Sequence, residues 1–143
     1  MRDNISGTSG AFLIVPATIA ADNTPAVTDL LGYNGCNVHV QVGVGGITFS
    51  GTNKVEFILK HGDASDGSDQ AAVAATDVTG VTATSGIIRS LIAAHTTPTV
   101  VSCGYIGSKR YVSCLADFSG THGTGTPIAV LAVKGYPVSV TPA

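Results

Sequence analysis

The sequence predicts an all-β fold, a single-domain antiparallel β-sandwich or jelly-roll-like domain of about eight strands with extended N- and C-terminal arms. Three observations carry this reading. Helical periodicity is weak along the whole chain, short runs rich in β-branched residues recur about every dozen residues, and Gly, Asn, Thr and Pro punctuate them. A length of 143 residues fits one domain, residues 1–143, with enough chain to bury a real core.

Taken in order, residues 1–10 are polar and rich in Gly and Ser, which predicts an N-terminal arm. The first candidate strand is 11–20. In 36–44 the alternation is plain: Cys36, Val38, Val40, Val42 and Val44 point one way while Asn37, His39, Gln41 and Gly43 point the other. Residues 54–61 repeat it, with Val55, Phe57 and Leu59 opposed to Lys54, Glu56, Ile58 and Lys60, so both strands have one wet or contact face. Further candidate strands are 70–77, 87–93, 99–106, 109–117 and 127–136. Residues 85–94 can also be read as a helix with Ile88, Leu91 and Ile92 in a stripe, although the segment is short for one. The stretch 138–143 ends in Thr-Pro-Ala and reads as a C-terminal tail.

Residues 100–115 hold the most specific local signal. Two strand-like runs flank Gly107-Ser108, and Gly at the first central position suits a two-residue type II′ turn. The hairpin so formed sets Tyr105 opposite Arg110, Gly104 opposite Tyr111 and Cys103 opposite Val112. Val101, Cys103, Tyr105, Arg110, Val112 and Cys114 then share one face. Ser102, Ser113, Lys109 and Tyr111 share the other, with the Tyr111 ring over Gly104. Within this element Arg110 is expected to make a contact or pair with a carboxylate, and Tyr111 to pack; Lys109 and Tyr105 complete the candidate contact set.

Composition narrows the function classes. Charged residues are 11% of the chain, against roughly 25% in ordinary soluble domains. Mean hydropathy is +0.37, yet no apolar run is long enough to cross a bilayer, so no membrane partner is expected. Either Ser, Thr, Asn and Gly solvate the surface or much of it is buried against other chains, and the second is favoured. A net charge of −2 with scattered Lys and Arg leaves no basic patch for nucleic acid. Residues 12–21 are no secretory core, because Pro16 interrupts them and only Arg2 beside Asp3 supplies charge ahead. The three cysteines, Cys36, Cys103 and Cys114, lack metal-ligand spacing. In the hairpin register Cys103 and Cys114 are diagonal neighbours about 7 Å apart, where a disulfide wants Cβ atoms near ~4 Å. All three read as reduced, buried small hydrophobes of a protein made in a reducing cytoplasm.

Reactive constellations are missing from the sequence. His39, His61, His95 and His122 stand singly, without metal-ligand spacing, and read as surface or loop imidazoles. Asp63, Asp66 and Asp69 around Gly67 could wrap oxygen ligands about Ca²⁺, but they lack EF-hand spacing and its terminal Glu. The other reading of that segment is a solvated turn in which Asp and Ser side chains cap backbone amides. No nucleophile elbow, phosphate loop or Cys/His pairing occurs, so neither an enzyme nor a cofactor is expected.

Segments 25–43, 54–67, 73–81, 103–114 and 124–137, in that order, resemble a widespread family of small virion proteins of tailed bacteriophages. The likeness is carried by Leu59-Lys60-His61-Gly62-Asp63 entering an acidic turn and by the short strand 73–78. It continues through the Gly104 to Tyr111 hairpin and the closing hydrophobic strand 128–137. The resemblance implies a β-sandwich cement or decoration subunit on the capsid surface, near local threefold points. Its partners would be the major capsid protein and itself, as a homotrimer made in the bacterial host cytoplasm, with arms over neighbouring subunits and no catalytic residues. Mass action leads to the same role, since a ligand that binds an assembled lattice and not its loose subunits stabilises the lattice, and touching copies add avidity. Two alternatives stand beside it. One is a carbohydrate-binding or adhesin-like sandwich, disfavoured by the lack of Trp; the other is a neck, tail or spike-base component of the same virion.

Overall fold

The computed structural model describes residues 5–137, so residues 1–4 of the expected arm and the whole expected tail 138–143 lie outside the described residues. The chain is all-β. Its strands are β1 (Ser9–Ile19), β2 (Thr28–Asp29), β3 (Tyr33–Val42), β4 (Lys54–Gly62), β5 (Ala71–Ala72), β6 (Val78–Thr79), β7 (Ile87–Leu91), β8 (Thr99–Tyr105), β9 (Tyr111–Ser119) and β10 (Thr126–Pro137). Two antiparallel sheets face each other. The first has the order β1-β10-β3-β8-β6; the second runs β2-β9-β4-β5, with β7 also paired to β4. Setting β5 and β6 aside, the layers are β1-β10-β3-β8 over β2-β9-β4-β7, a jelly roll in which, of these eight strands, only β4 and β7 are neighbours in sequence that share a sheet.

Alternation builds the core. In the first sheet Val38, Val40 and Val42 of β3 lie in register with Ala132, Val130 and Ile128 of β10, all buried. From the second sheet Val55, Phe57 and Leu59 of β4 meet them beside Cys114 and Ala116 of β9. Each large apolar side chain buried this way contributes about 1.5–3 kcal/mol relative to exposure. Pro16 is tolerated because β1 is an edge strand, and the β1–β10 register shifts on either side of Ile14.

Four sequence expectations need correction. The 100–115 hairpin does not form: β8 belongs to the first sheet and β9 to the second, so residues 106–110 cross between layers. Gly107 serves that crossing, because a Cβ there would sit 2.5 Å from the Tyr105 hydroxyl oxygen and 2.6 Å from its ring. Gly104 is covered by Thr79 of β6, with no role for Tyr111. Residues 70–77 hold only β5 and a 3₁₀ turn, Ala75–Asp77, rather than one strand. The possible helix at 85–94 is instead strand β7 after a turn in which Gly86 has φ +79°. Finally, β1 begins at Ser9, inside the stretch read as arm.

The outer edge of β9 is closed by side chains. Strand β2 pairs only with Tyr111 and Val112. Beyond it, Asn23 Nδ2 donates to Cys114 O at 3.1 Å while its Oδ1 accepts from Ala116 N at 2.7 Å, and Asp22 Oδ1 accepts from Phe118 N at 2.7 Å. These residues stand in for a missing strand and deny the edge to other chains. Asn23→Ala leaves two part-buried backbone groups without partners and is expected to destabilise by about 1–3 kcal/mol in urea unfolding. A change within about 0.5 kcal/mol, the range of ordinary surface substitutions, would contradict this account.

Candidate functional site

The four contact candidates are brought to one end of the sandwich, and the fold itself occupies each of them. Tyr105 is 2% exposed. Its hydroxyl lies 2.9 Å from His61 Nδ1 on the opposite sheet and accepts from Lys109 N at 3.2 Å, tying β8, β4 and the 106–110 crossing together. The two rings meet edge-on, with centroids 5.7 Å apart. Burial, ahead of other causes, pushes the Tyr105 hydroxyl up to about 12.

Arg110 pairs with a carboxylate, that of Asp29 on β2. Its Nε and Nη2 donate at 2.9 and 2.7 Å in a two-pronged bond, and its guanidinium stacks 5.1 Å from the Tyr111 ring centroid. The Arg110 bond, helped by the Leu31 N–H, holds the Asp29 carboxyl down at about 2. Tyr111 is buried. Lys109 Nζ donates to Asp63 at 2.5 Å, and this bond chiefly lowers the Asp63 carboxyl and raises the lysine.

The acidic turn takes its capping form. Asp69 accepts from Asp63 N at 2.7 Å and Ala64 N at 3.1 Å, and Asp66 accepts from Ser68 N at 3.0 Å. Those backbone bonds hold both carboxyls below the ordinary range. Asp63, Asp66 and Asp69 therefore turn toward different donors, and among the described residues no three His, Cys, Asp or Glu side chains converge as a metal site. Cys36, Cys103 and Cys114 are buried and free of disulfides. Burial pushes the Cys36 and Cys103 thiols up to about 11, and raises Cys114 further.

The histidines also differ from expectation. His61 is packed inside on β4, and His122, although in the loop between β9 and β10, is buried. His122 is 3% exposed, lies edge-on to Phe118 at 4.8 Å and donates from Nε2 to Ser119 O at 2.8 Å. His95 Nε2 is 3.4 Å from Val42 O. His39 Nδ1 lies 2.7 Å from Ser102 Oγ, which places a hydroxyl beside a base. That pair sits on an open strand face with no carboxylate in its register rows to orient the imidazole.

Sequence reasoning missed that face as a unit. Following the register, the outer side of the first sheet presents Gly10, Phe12, Thr18, Pro127, Ala129, Leu131, Val133, Gly135, Gly35, Asn37, His39, Gln41, Val100, Ser102, Gly104 and Thr79. No Asp, Glu, Lys or Arg stands among them. Phe12 and Val100 are 48% and 61% exposed. The second sheet differs: Lys54, Glu56, Lys60 and Asp117 share its outer side. The signal lay in the strand parities, which set Asn37, His39 and Gln41 apart from the valines of β3. Parity also foretold that His61, in phase with Val55, Phe57 and Leu59, points inward. Comparison of the chain with protein-family models, curated proteins and solved structures finds no match.

A carboxyl that titrates lower in the folded than in the unfolded chain stabilises the fold above its unfolded value, about pH 4, and that contribution fades as pH falls toward the folded value. Both groups of the Arg110–Asp29 pair are over 40% exposed, so Arg110→Ala is expected to destabilise the fold only slightly near neutral pH. In urea titrations the gap between wild type and variant should close between about pH 4 and 2; a gap that stays constant over that range refutes the assignment.

Proposed function

We propose that the chain is a structural virion protein, a decoration or cement subunit that lays the outer face of its first sheet on the outside of a tailed-phage capsid and stabilises the shell. The observation that supports this most is the segregation of charge. A five-stranded face without an Asp, Glu, Lys or Arg costs little to desolvate, whereas a charged face must find partners for every buried ion. The opposite sheet carries Lys54, Glu56, Lys60 and Asp117 on its outer side, where Lys54 and Glu56 pair with each other. The tight internal use of Tyr105, Lys109, Arg110 and Tyr111 leaves contact to the uncharged outer face of the first sheet, and the reading assigns no catalytic step to any residue. In this reading the major capsid protein is the partner, the chain's own copies are neighbours in a trimer, and the particle surface is where it resides.

Heads of the encoding phage, assembled without the protein, provide the test. They should lose resistance to heat and to dilution, and purified protein added back should restore it. Phe12→Glu should abolish rebinding while leaving the unfolding midpoint of the free protein nearly unchanged, whereas Lys60→Glu on the opposite sheet should rebind as wild type. Unaltered stability of heads lacking the protein would overturn the proposal. About a dozen copies per particle rather than hundreds would move it to a neck, tail or spike base.

A further inference from the structure

Where β1 and β3 finish and β8 and β10 start, a groove of about 390 Å³ crosses the rim of the uncharged face. Pro16, Pro98 and Pro127 wall it, Gly43 and Ala129 keep its floor low, and Gln41 and Thr99 supply its polar side chains. Gly43 is needed there, because a Cβ would stand 3.0 Å from that of Pro127. Prolines have no N–H to offer, and the Gly43 N–H is already given to Pro127 O at 2.8 Å. Such a groove selects an uncharged, extended segment by shape and apolar contact.

The chain contains such a segment. Residues 138–143, Val-Ser-Val-Thr-Pro-Ala, have no ionisable side chain, set Val138 and Val140 two apart as in an extended strand, and include Pro142. They follow Pro137, which ends β10 at the far end from the groove. From Ile128 to Pro137 the strand rises about 30 Å, while six residues reach about 20 Å at most. No copy can therefore place this segment in its own groove.

We propose that residues 138–143 of one copy dock in the proline-walled groove of a second copy. The inference extends the reading of a shell-bound protein whose copies are neighbours. The contact is head-to-tail, so it closes into a ring or continues as a net according to the angle between successive copies. Once copies share a surface, each link forms at high effective concentration.

The test uses the full-length protein in free solution. Titrating it with a synthetic peptide of sequence Pro-Val-Ser-Val-Thr-Pro-Ala should shift the amide resonances of Gln41, Val100 and Ala129 and leave those of Lys54 and Lys60 unmoved. In sedimentation equilibrium, Ala17→Glu in the groove and Val140→Asp in the segment should each weaken self-association about tenfold or more, the equivalent of losing about 1.4 kcal/mol. Mixing the two variants should restore one link per pair, since the first retains a working segment and the second a working groove. The proposal is overturned if millimolar peptide moves none of the groove resonances, if it moves instead those around Gly35 and Gly104, or if the mixture associates no better than either variant alone. Because Phe12 lies outside the groove, head binding by Phe12→Glu tests the capsid reading alone, and association between free copies tests this one alone.

Discussion

Every long strand but one pair finds its ladder partner far along the chain, and the fold depends on that constraint. Strand β1 is satisfied by β10, β10 by β3, and β9 by β4. The backbone must therefore pass from one layer to the other at almost every turn. Such a topology defers its reward until much of the chain is in place, which makes non-local pairing slow to nucleate and strongly cooperative once formed. It also puts a premium on whatever fastens the crossings. The Tyr105 hydroxyl is one such fastening, reaching His61 on the facing sheet and the backbone of Lys109 in the crossing itself. Arg89 is another. From β7 it donates to Val40 O at 3.2 Å and to the Thr99 hydroxyl, and the partial burial that this reach requires lowers its guanidinium below its usual value.

Local physics made the elements legible and left their connections hidden. Period-two alternation located β3 and β4 and set Cys36, Val38, Val40, Val42, Val55, Phe57 and Leu59 inward correctly, because burial on one face leaves a direct imprint on residue type, while Val44 lies past the end of β3 and is 49% exposed. The stretch from Val100 to Leu115 misled for an equally physical reason. A glycine between two β-branched runs suits a two-residue turn, yet here glycine answers a different need, the passage of backbone against a tyrosine ring. Both demands select the same residue. What separates them is the identity of the partner strand, which turn chemistry does not encode. The same holds for Asp22 and Asn23, whose edge-closing role follows only from β2 being too short to cover β9.

The contact residues show the complementary lesson. Arg110 and Lys109 stand out in the sequence because charge is scarce, and scarcity suggests purpose. Their purpose is internal: each meets a carboxylate of the same domain, Asp29 and Asp63. The uncharged outer face is conspicuous only when strands distant in sequence are laid side by side, since no single strand of it is unusual. Asn37, His39 and Gln41 look like an ordinary wet face until Leu131, Val133 and Phe12 are placed next to them.

The three thiols carry a practical corollary. Thiolate is the species that reacts with maleimides, peroxides and other disulfides, and Cys36, Cys103 and Cys114 are all buried with ionisation pushed upward. The native chain is thus chemically quiet toward sulfur reagents while it stays folded. A cysteine introduced on either outer surface would be the sole fast-reacting handle, so fluorophores, gold or displayed cargo could be attached at a chosen spot without first stripping the natural thiols from the interior.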